Sequence, residues 1–258
     1  MALTAVDYNI FATLRAAGAL PPRPSVLELG ESEWYGDVPA EVLAQEIDRL
    51  VAPQERRREL KSWLAGILEG NSPQESWDLA KMFYAIFLDY RKIAAIDLHG
   101  TPDALKLDLN HPLELGEQFD VLIDGGTAEH VFDVCQFFRT CHQVARPGGL
   151  MLHSLPFLGW LEHGFYNFNP TFFWDLAQTN GYAVVLLAYT EMSPAKVVPL
   201  GSREQLLQMA GNAELGQTAL LYAVLRKPAA EAEFRIPMQG VYGGRVSDEV
   251  MKAWHTLR

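Results

Sequence analysis

The stretch S-V-L-E-L-G at residues 25–30 decides the fold. A short apolar run that stops at a glycine reads as a buried strand feeding a tight turn. Similar runs recur at I-A-A-I-D-L (93–98), F-D-V-L-I (119–123, followed by Asp124-Gly125-Gly126) and L-M-L-H-S-L (150–155). Residues 182–189 and 218–226 supply two more. Helical periods fill the gaps. Val42, Leu43, Ile47, Leu50 and Val51 repeat close to every 3.6 residues over 40–51, and residues 54–68 continue the pattern. Ser72 and Glu75 have capping-box spacing, with Pro73 at the first helical position, and predict a helix to about Arg91. Residues 128–145 read as one helix, with Val131, Val134, Cys135, Phe138 and Cys141 on a single face. Residues 170–180 read as another, closed by Gly181, and residues 4–17 as a short N-terminal helix stopped by Pro21, Pro22 and Pro24. Residues 31–39 read as loop, and the tail after Pro228 has no usable period.

Apolar strands separated by helices specify an α/β fold, a doubly wound and mostly parallel sheet covered on both faces. The last two strands have no long helix between them, so the sheet is expected to end antiparallel. One domain over 1–258 accommodates this order, with 1–24 as an N-terminal helical segment.

Composition narrows the function. The chain has 258 residues, 49% of them apolar, and a formal charge of −11. The acidic surplus argues against a nucleic-acid partner and against an anionic membrane surface. Two cysteines are too few for a disulfide scaffold, and Cys135 and Cys141 read as buried thiols. The longest apolar run, 182–189, falls far short of the roughly 18–20 residues of a membrane span. Asp7 and Arg15 interrupt the N-terminal apolar stretch, against a signal peptide, so a cytoplasmic location is the expectation.

Ligands of open α/β sheets bind at the carboxyl ends of the strands. Those ends deliver Glu28 and Gly30, then Asp97, then Asp124, Gly125 and Gly126, then His153, with Asp108-Leu109-Asn110 between the second and third. Several carboxylates facing one crevice need partners. A ligand with ribose hydroxyls, an adenine amine and a cationic centre would supply them.

This pattern resembles the class I S-adenosylmethionine (SAM) dependent methyltransferases, from about residue 25 to residue 226. V-L-E-L-G (26–30), A-I-D-L (95–98), L-D-L-N (107–110), F-D-V-L-I-D-G-G (119–126) and R-P-G-G-L (146–150) resemble the family's motifs in their order. The resemblance implies a Rossmann-like, seven-stranded sheet with an antiparallel last strand, and SAM as cofactor with S-adenosylhomocysteine (SAH) as product. It implies that Gly30 lets the backbone approach SAM, that Asp97 and the adjoining Leu98 meet the ribose, and that Asp108 takes the adenine amine with Leu109 packed on the ring. Asp124, Gly125 and Gly126 would lie beside the methionine portion. Glu28 is either a cofactor contact or a strand-end carboxylate satisfied by backbone donors.

Two departures stand out. Gly30 is followed by Glu31-Ser32-Glu33-Trp34-Tyr35 before the next glycine, Gly36, so Trp34, Tyr35 and Gly36 are expected to form a bulkier cofactor loop. Residues 31–71 also exceed the usual spacing and are expected to form a helical insertion or lid over the mouth. Glu129 and His130 follow the fourth motif; His130, with a suitable ordinary pKa, is the candidate general base and Glu129 its rival, the alternative being that His130 caps or packs at the helix start. The aromatic segment 156–174 offers Trp160, His163, Tyr166 and Asn167, with His153 just before it, as contacts for a small-molecule methyl acceptor. No metal is expected, because the seven histidines show no close pairing along the chain. The expected reaction is methyl transfer to oxygen or nitrogen of a sugar, glycan precursor or secondary metabolite, assisted by His130, in a chain that could form a homodimer. The rival readings are a SAM-binding regulatory partner and a SAM-fold enzyme of another reaction.

Overall fold

The computed structural model describes residues 2–256. Its elements are β1 (Ala2–Leu3), α1 (Ala5–Ala16), β2 (Ser25–Leu29), β3 (Glu33–Trp34), α2 (Glu41–Leu50), α3 (Gln54–Leu68), α4 (Glu75–Leu88), β4 (Lys92–Ile96) and β5 (Phe119–Asp124). A 3-10 turn (Ala128–His130) precedes α5 (Val134–Val144), β6 (Ala145–Leu158), α6 (Pro170–Asn180), β7 (Ala183–Met192), β8 (Ala195–Pro199), α7 (Arg203–Gly211), β9 (Ala219–Arg226) and α8 (Asp248–Thr256).

Seven strands form one sheet in the order β4-β2-β5-β6-β9-β7-β8. The pairs β4/β2, β2/β5 and β5/β6 are parallel, and β9 runs antiparallel to both β6 and β7. The seventh strand is β8, the antiparallel edge partner of β7. With α7 it fills the interval where no helix was expected. Every residue of β2 is buried. Because side chains alternate along a strand, Val26 joins the core formed with α1 to α4 and Leu27 joins the core formed with α5 and α6.

The expected 128–145 helix is broken. Val131 is extended, at φ −95° and ψ 116°, and α5 starts after Asp133, whose side chain accepts from Gln136 N–H at 2.9 Å. Asp is a preferred N-cap, and it captures the helix start six residues later than the apolar period implies. The Ser72 capping box also does not form. The Ser72 hydroxyl accepts from Gln74 N–H at 3.0 Å, and α4 begins at Glu75. Residues 31–39 are not all loop, because β1 pairs in parallel with β3, Leu3 opposite Trp34. Tyr35 N–H then donates to Leu3 O at 3.0 Å. The N-terminus thereby fixes the glycine-poor loop after β2. In the tail, α8 forms without burying any residue, which explains why no apolar period marks it.

Asp120 pins the start of β5 to the start of β2. Its Oδ2 accepts from Ser25 N–H and Oγ at 2.8 Å each and from Arg91 at 2.9 Å, and Arg146 lies 3.3 Å from Oδ1. Burial would raise its pKa, but the Ser25 hydrogen bonds and the two arginines outweigh it and hold the carboxyl below the ordinary range. A depressed folded pKa means stability that is present above the unfolded carboxylate value, about 3.9, and lost as pH falls through the folded one. Asp120→Asn is therefore expected to cost about 1–3 kcal/mol at pH 7 and to flatten the acid limb of urea unfolding. An unchanged acid limb would remove Asp120 from this role.

Candidate functional site

Two clefts open beside the carboxyl ends of the parallel strands. The first, of about 410 Å³, is lined by Gly30, Asp97, Leu98, Asp108 and Leu109, with Trp77 of α4 among its walls. The second, of about 550 Å³, is lined by Trp34, Tyr35, Gly125, Glu129, Trp160 and His163, with Asp7 and Ser154. Both clefts include Glu33, Gly126 and His130, so they meet there. A further cavity of about 550 Å³ lies among α6, α7 and α8, away from the strand ends.

In the first cleft, Gly30 turns the chain at φ +87° while its N–H donates to Ile96 O at 2.7 Å. Positive φ is costly for a residue with a Cβ, so glycine suits this turn. Asp97 Oδ1 accepts from His99 and Gly100 N–H at 2.7 and 2.8 Å, and Oδ2 accepts from Glu31 N–H at 2.8 Å. Burial acts to raise its pKa, but these backbone donors prevail and lower it. Three backbone donors leave the two oxygens with acceptor capacity to spare, and Asp97 lines the cleft. Asp108 Oδ1 takes Asn110 N–H and Nδ2 at 2.9 and 2.8 Å, which lowers its pKa, and Oδ2 lies 3.7 Å from His111 Nε2. Two carboxylates flanking the apolar Leu98 and Leu109 match the donors and flat ring of an adenosine, so the residues present fit SAM.

Three residues expected at the cofactor line neither cleft. Glu28 is fully buried, ion-paired to Lys81, and accepts from Ser32 N–H at 3.0 Å. Asp124 is equally buried. Its Oδ1 accepts from Thr127 and Ala128 N–H at 3.0 and 3.3 Å, and its Oδ2 hydrogen-bonds Nδ1 of His153 at 2.8 Å. Asp124 thus builds the 3-10 turn that carries Glu129 and His130. Gly36, at φ +90°, turns the chain outside both clefts. Trp34 and Tyr35 face the second cleft and leave the first open. The helices α2 and α3 pack on α4 and each other and line neither cleft. Of the 31–71 segment, residues 33–35 reach the second cleft, and the helices stand back from both clefts.

The acceptor-side expectations divide. Trp160 and His163 line the second cleft. His153 is buried against Asp124, Phe138 and Phe173. The Tyr166 hydroxyl is spent on Phe132 O at 2.8 Å, and Asn167 is exposed outside both clefts. Much of the aromatic segment is packing, since Phe168, Phe172 and Phe173 cluster around Phe138.

At the junction, Glu129 is 1% exposed, and its Oε2 has no hydrogen-bond partner among the described residues. Burial, then the charge of Asp124, pushes its pKa up to about 8. Burial and the neighbouring His163 lower that of His130. The rings of His130 and His163 lie 5.0 Å apart, so the structure pairs two histidines that are distant along the chain. Gly126, at φ +110°, leaves room here, because a Cβ would come within 3.2 Å of Glu129 Oε1. Sequence reasoning missed Asp7, Glu33 and Trp77 as lining residues. Glu33 had a signal in its place within the odd loop, whereas Asp7 reads only as an N-terminal helix cap.

No protein-family model matches the chain. It is similar to the ubiquinone biosynthesis O-methyltransferase of Ruegeria pomeroyi, 36% identical over 62 residues, covering 22% of this chain and 25% of that one. With the corresponding protein of Pseudomonas syringae pv. tomato, identity is 31% over 91 residues, covering 35% and 34%. The chain thus spans about a quarter to a third of the length of these curated relatives. A solved S-adenosylmethionine dependent methyltransferase from Mesorhizobium loti aligns over 86% of this chain and 98% of its own at 15% identity and a TM-score of 0.45. The 1,6-didemethyltoxoflavin-N1-methyltransferase of Burkholderia thailandensis, solved with SAH, aligns over 87% and 79% at 13% identity and a TM-score of 0.37. With β9 set antiparallel between β6 and β7 and parallel strands on the other side, the chain has a Rossmann-like α/β fold.

Proposed function

We propose that the chain transfers a methyl group from SAM to an oxygen or nitrogen of a small molecule. The observation that carries the reading is the meeting of the two clefts at Gly126 and His130. An adenosine held by Asp97 and Asp108 would direct its sulfonium toward that junction, and an acceptor between Tyr35, Trp160 and His163 would approach from the other side. Bound SAM supplies a methyl whose bond to sulfur breaks with its electron pair going to sulfur, as the acceptor atom forms the new bond. The protein orients the two partners, and the Glu129–His130–His163 cluster assists the loss of the acceptor's proton. The aromatic walls and the polar Asp7 and Ser154 suit a sugar, a glycan precursor or a secondary metabolite. The similarity to O-methyltransferases of ubiquinone biosynthesis supports oxygen as the acceptor atom. A regulatory protein that binds SAM without consuming it is less well supported, because Trp34 and Tyr35 face the acceptor side and leave the cofactor side open.

The purified chain, given SAM and a panel of hydroxyl and amine acceptors, is expected to form SAH above a no-acceptor blank. His130→Ala is expected to lower kcat by about 100-fold or more while SAH affinity stays within a few-fold. Bound but unconsumed SAM across the panel would favour the regulatory reading. Unchanged kcat in His130→Ala would remove His130 from the chemistry.

A further inference from the structure

We propose that Glu129, His130 and His163 form a binding site for a divalent transition-metal cation, whose open position receives the oxygen of the methyl acceptor. This deepens the methyl-transfer reading and rests on it for the acceptor's identity; the cation site itself stands on geometry.

One ligand atom from each of the three residues lies within 4.8 Å of the other two. Glu129 Oε1 is 3.5 Å from His163 Nε2 and 3.8 Å from His130 Nε2. These separations are long for hydrogen bonds. They are close to the spacing of about 3.4 Å that ligands adopt on a tetrahedral cation with bonds of about 2.1 Å. Both imidazoles are half-exposed, at 47% and 41%, so small ring rotations close the remaining gap. The buried carboxylate supplies the second observation. Glu129 Oε2 lacks a hydrogen-bond partner among the described residues, and a polar group buried without a partner costs free energy. A cation bound through Oε1 displaces the proton and engages the carboxylate.

The approach of His163 is built into the backbone. Phe165 N–H donates to Glu129 O at 2.7 Å. A Cβ on Gly164 would meet Glu129 O at 2.9 Å and Cγ at 3.0 Å, so glycine permits the loop to seat directly on Glu129. The His163 ring then packs between His130 and Trp160, at 5.0 and 4.9 Å.

Two imidazoles and one carboxylate suit Zn²⁺, Co²⁺, Ni²⁺ or Fe²⁺ better than Mg²⁺ or Ca²⁺. Three protein ligands with one open position is the arrangement of catalytic sites. An acceptor hydroxyl at that position loses its proton to water more readily, and its oxygen then forms the bond to the methyl carbon as the carbon–sulfur bond breaks toward sulfur. His130 then serves as a ligand through Nε2 in place of a free base.

The test is a Co²⁺ titration of the full chain after chelator treatment, read by visible absorption, with SAH binding measured in parallel. One equivalent of Co²⁺ is expected, with a d–d band. His163→Ala and Glu129→Gln should each weaken binding by at least about 10-fold, the smaller end of what even supporting residues cost. SAH affinity in His163→Ala should stay unchanged, which shows that the variant is folded. Absence of a bound equivalent, or equal binding by His163→Ala, overturns the site. Because Co²⁺ binding is read without SAM or acceptor, a failure of methyl transfer leaves this result separately readable.

Discussion

Asp97→Ala is expected to weaken SAH binding by about 100-fold or more. The carboxylate is already aimed, since three backbone N–H groups hold it and its pKa is depressed. A hydrogen bond to a charged group contributes about 1.5–3 kcal/mol, and a ribose presents two hydroxyls. The substitution also releases the donors of Glu31, His99 and Gly100, which loosens the turn between β4 and the first cleft. Gly100 makes that turn tight, because a Cβ there would come within 2.6 Å of Glu31 Oε2 and 2.9 Å of Asp97 Cβ. Asp97→Asn keeps an acceptor oxygen and should fall between the two. Calorimetric titration with SAH gives the ranking. Equal affinity in wild type and Asp97→Ala would mean that the first cleft does not hold the ribose.

Lys81→Met is expected to cost about 3–5 kcal/mol of stability, because it strands a buried charge. Lys81 pairs with Glu28, which is fully buried, and lies 3.3 Å from Glu31 Oε1. For a domain of this size the loss corresponds to a fall in Tm of roughly 10 °C or more. The double variant Lys81→Met with Glu28→Gln removes both charges and should recover much of the loss, as the two sites share one interaction. Thermal melting at pH 7 measures both. A Tm for Lys81→Met within a degree or two of wild type would show that Glu28 is compensated elsewhere.

The same pair shows where the sequence is legible and where it is not. The strand ends were readable, because apolar runs stopping at Gly30, Asp97 and Asp124 mark them, and Asp97, Leu98, Asp108 and Leu109, which the family resemblance singled out, line one cleft. Glu28 and Asp124 look equally suited by position. Their burial depends on partners far along the chain, Lys81 at 53 residues and His153 at 29. Nothing local distinguishes a carboxylate that faces a ligand from one that meets a lysine on α4. The histidine pair is similar. His130 was readable beside the fourth motif, but its approach to His163 depends on Gly164 seating a loop on Glu129. The break at Val131 was hidden because the apolar period continues through it, while Asp133 and Asp124 compete for the backbone donors. The two-residue β1 is too short to carry a period, yet it sets the loop that brings Trp34 and Tyr35 to the second cleft.

The central claim is that the chain holds SAM in the first cleft, and thermal melting with and without SAM and SAH tests it most directly. Ligand at about 100 times its dissociation constant should add about 2.7 kcal/mol of stability, a rise of several degrees in Tm. The account predicts that rise with both ligands in wild type and its loss in Asp97→Ala. No rise with either ligand at millimolar concentration, in protein that melts cooperatively, would contradict it.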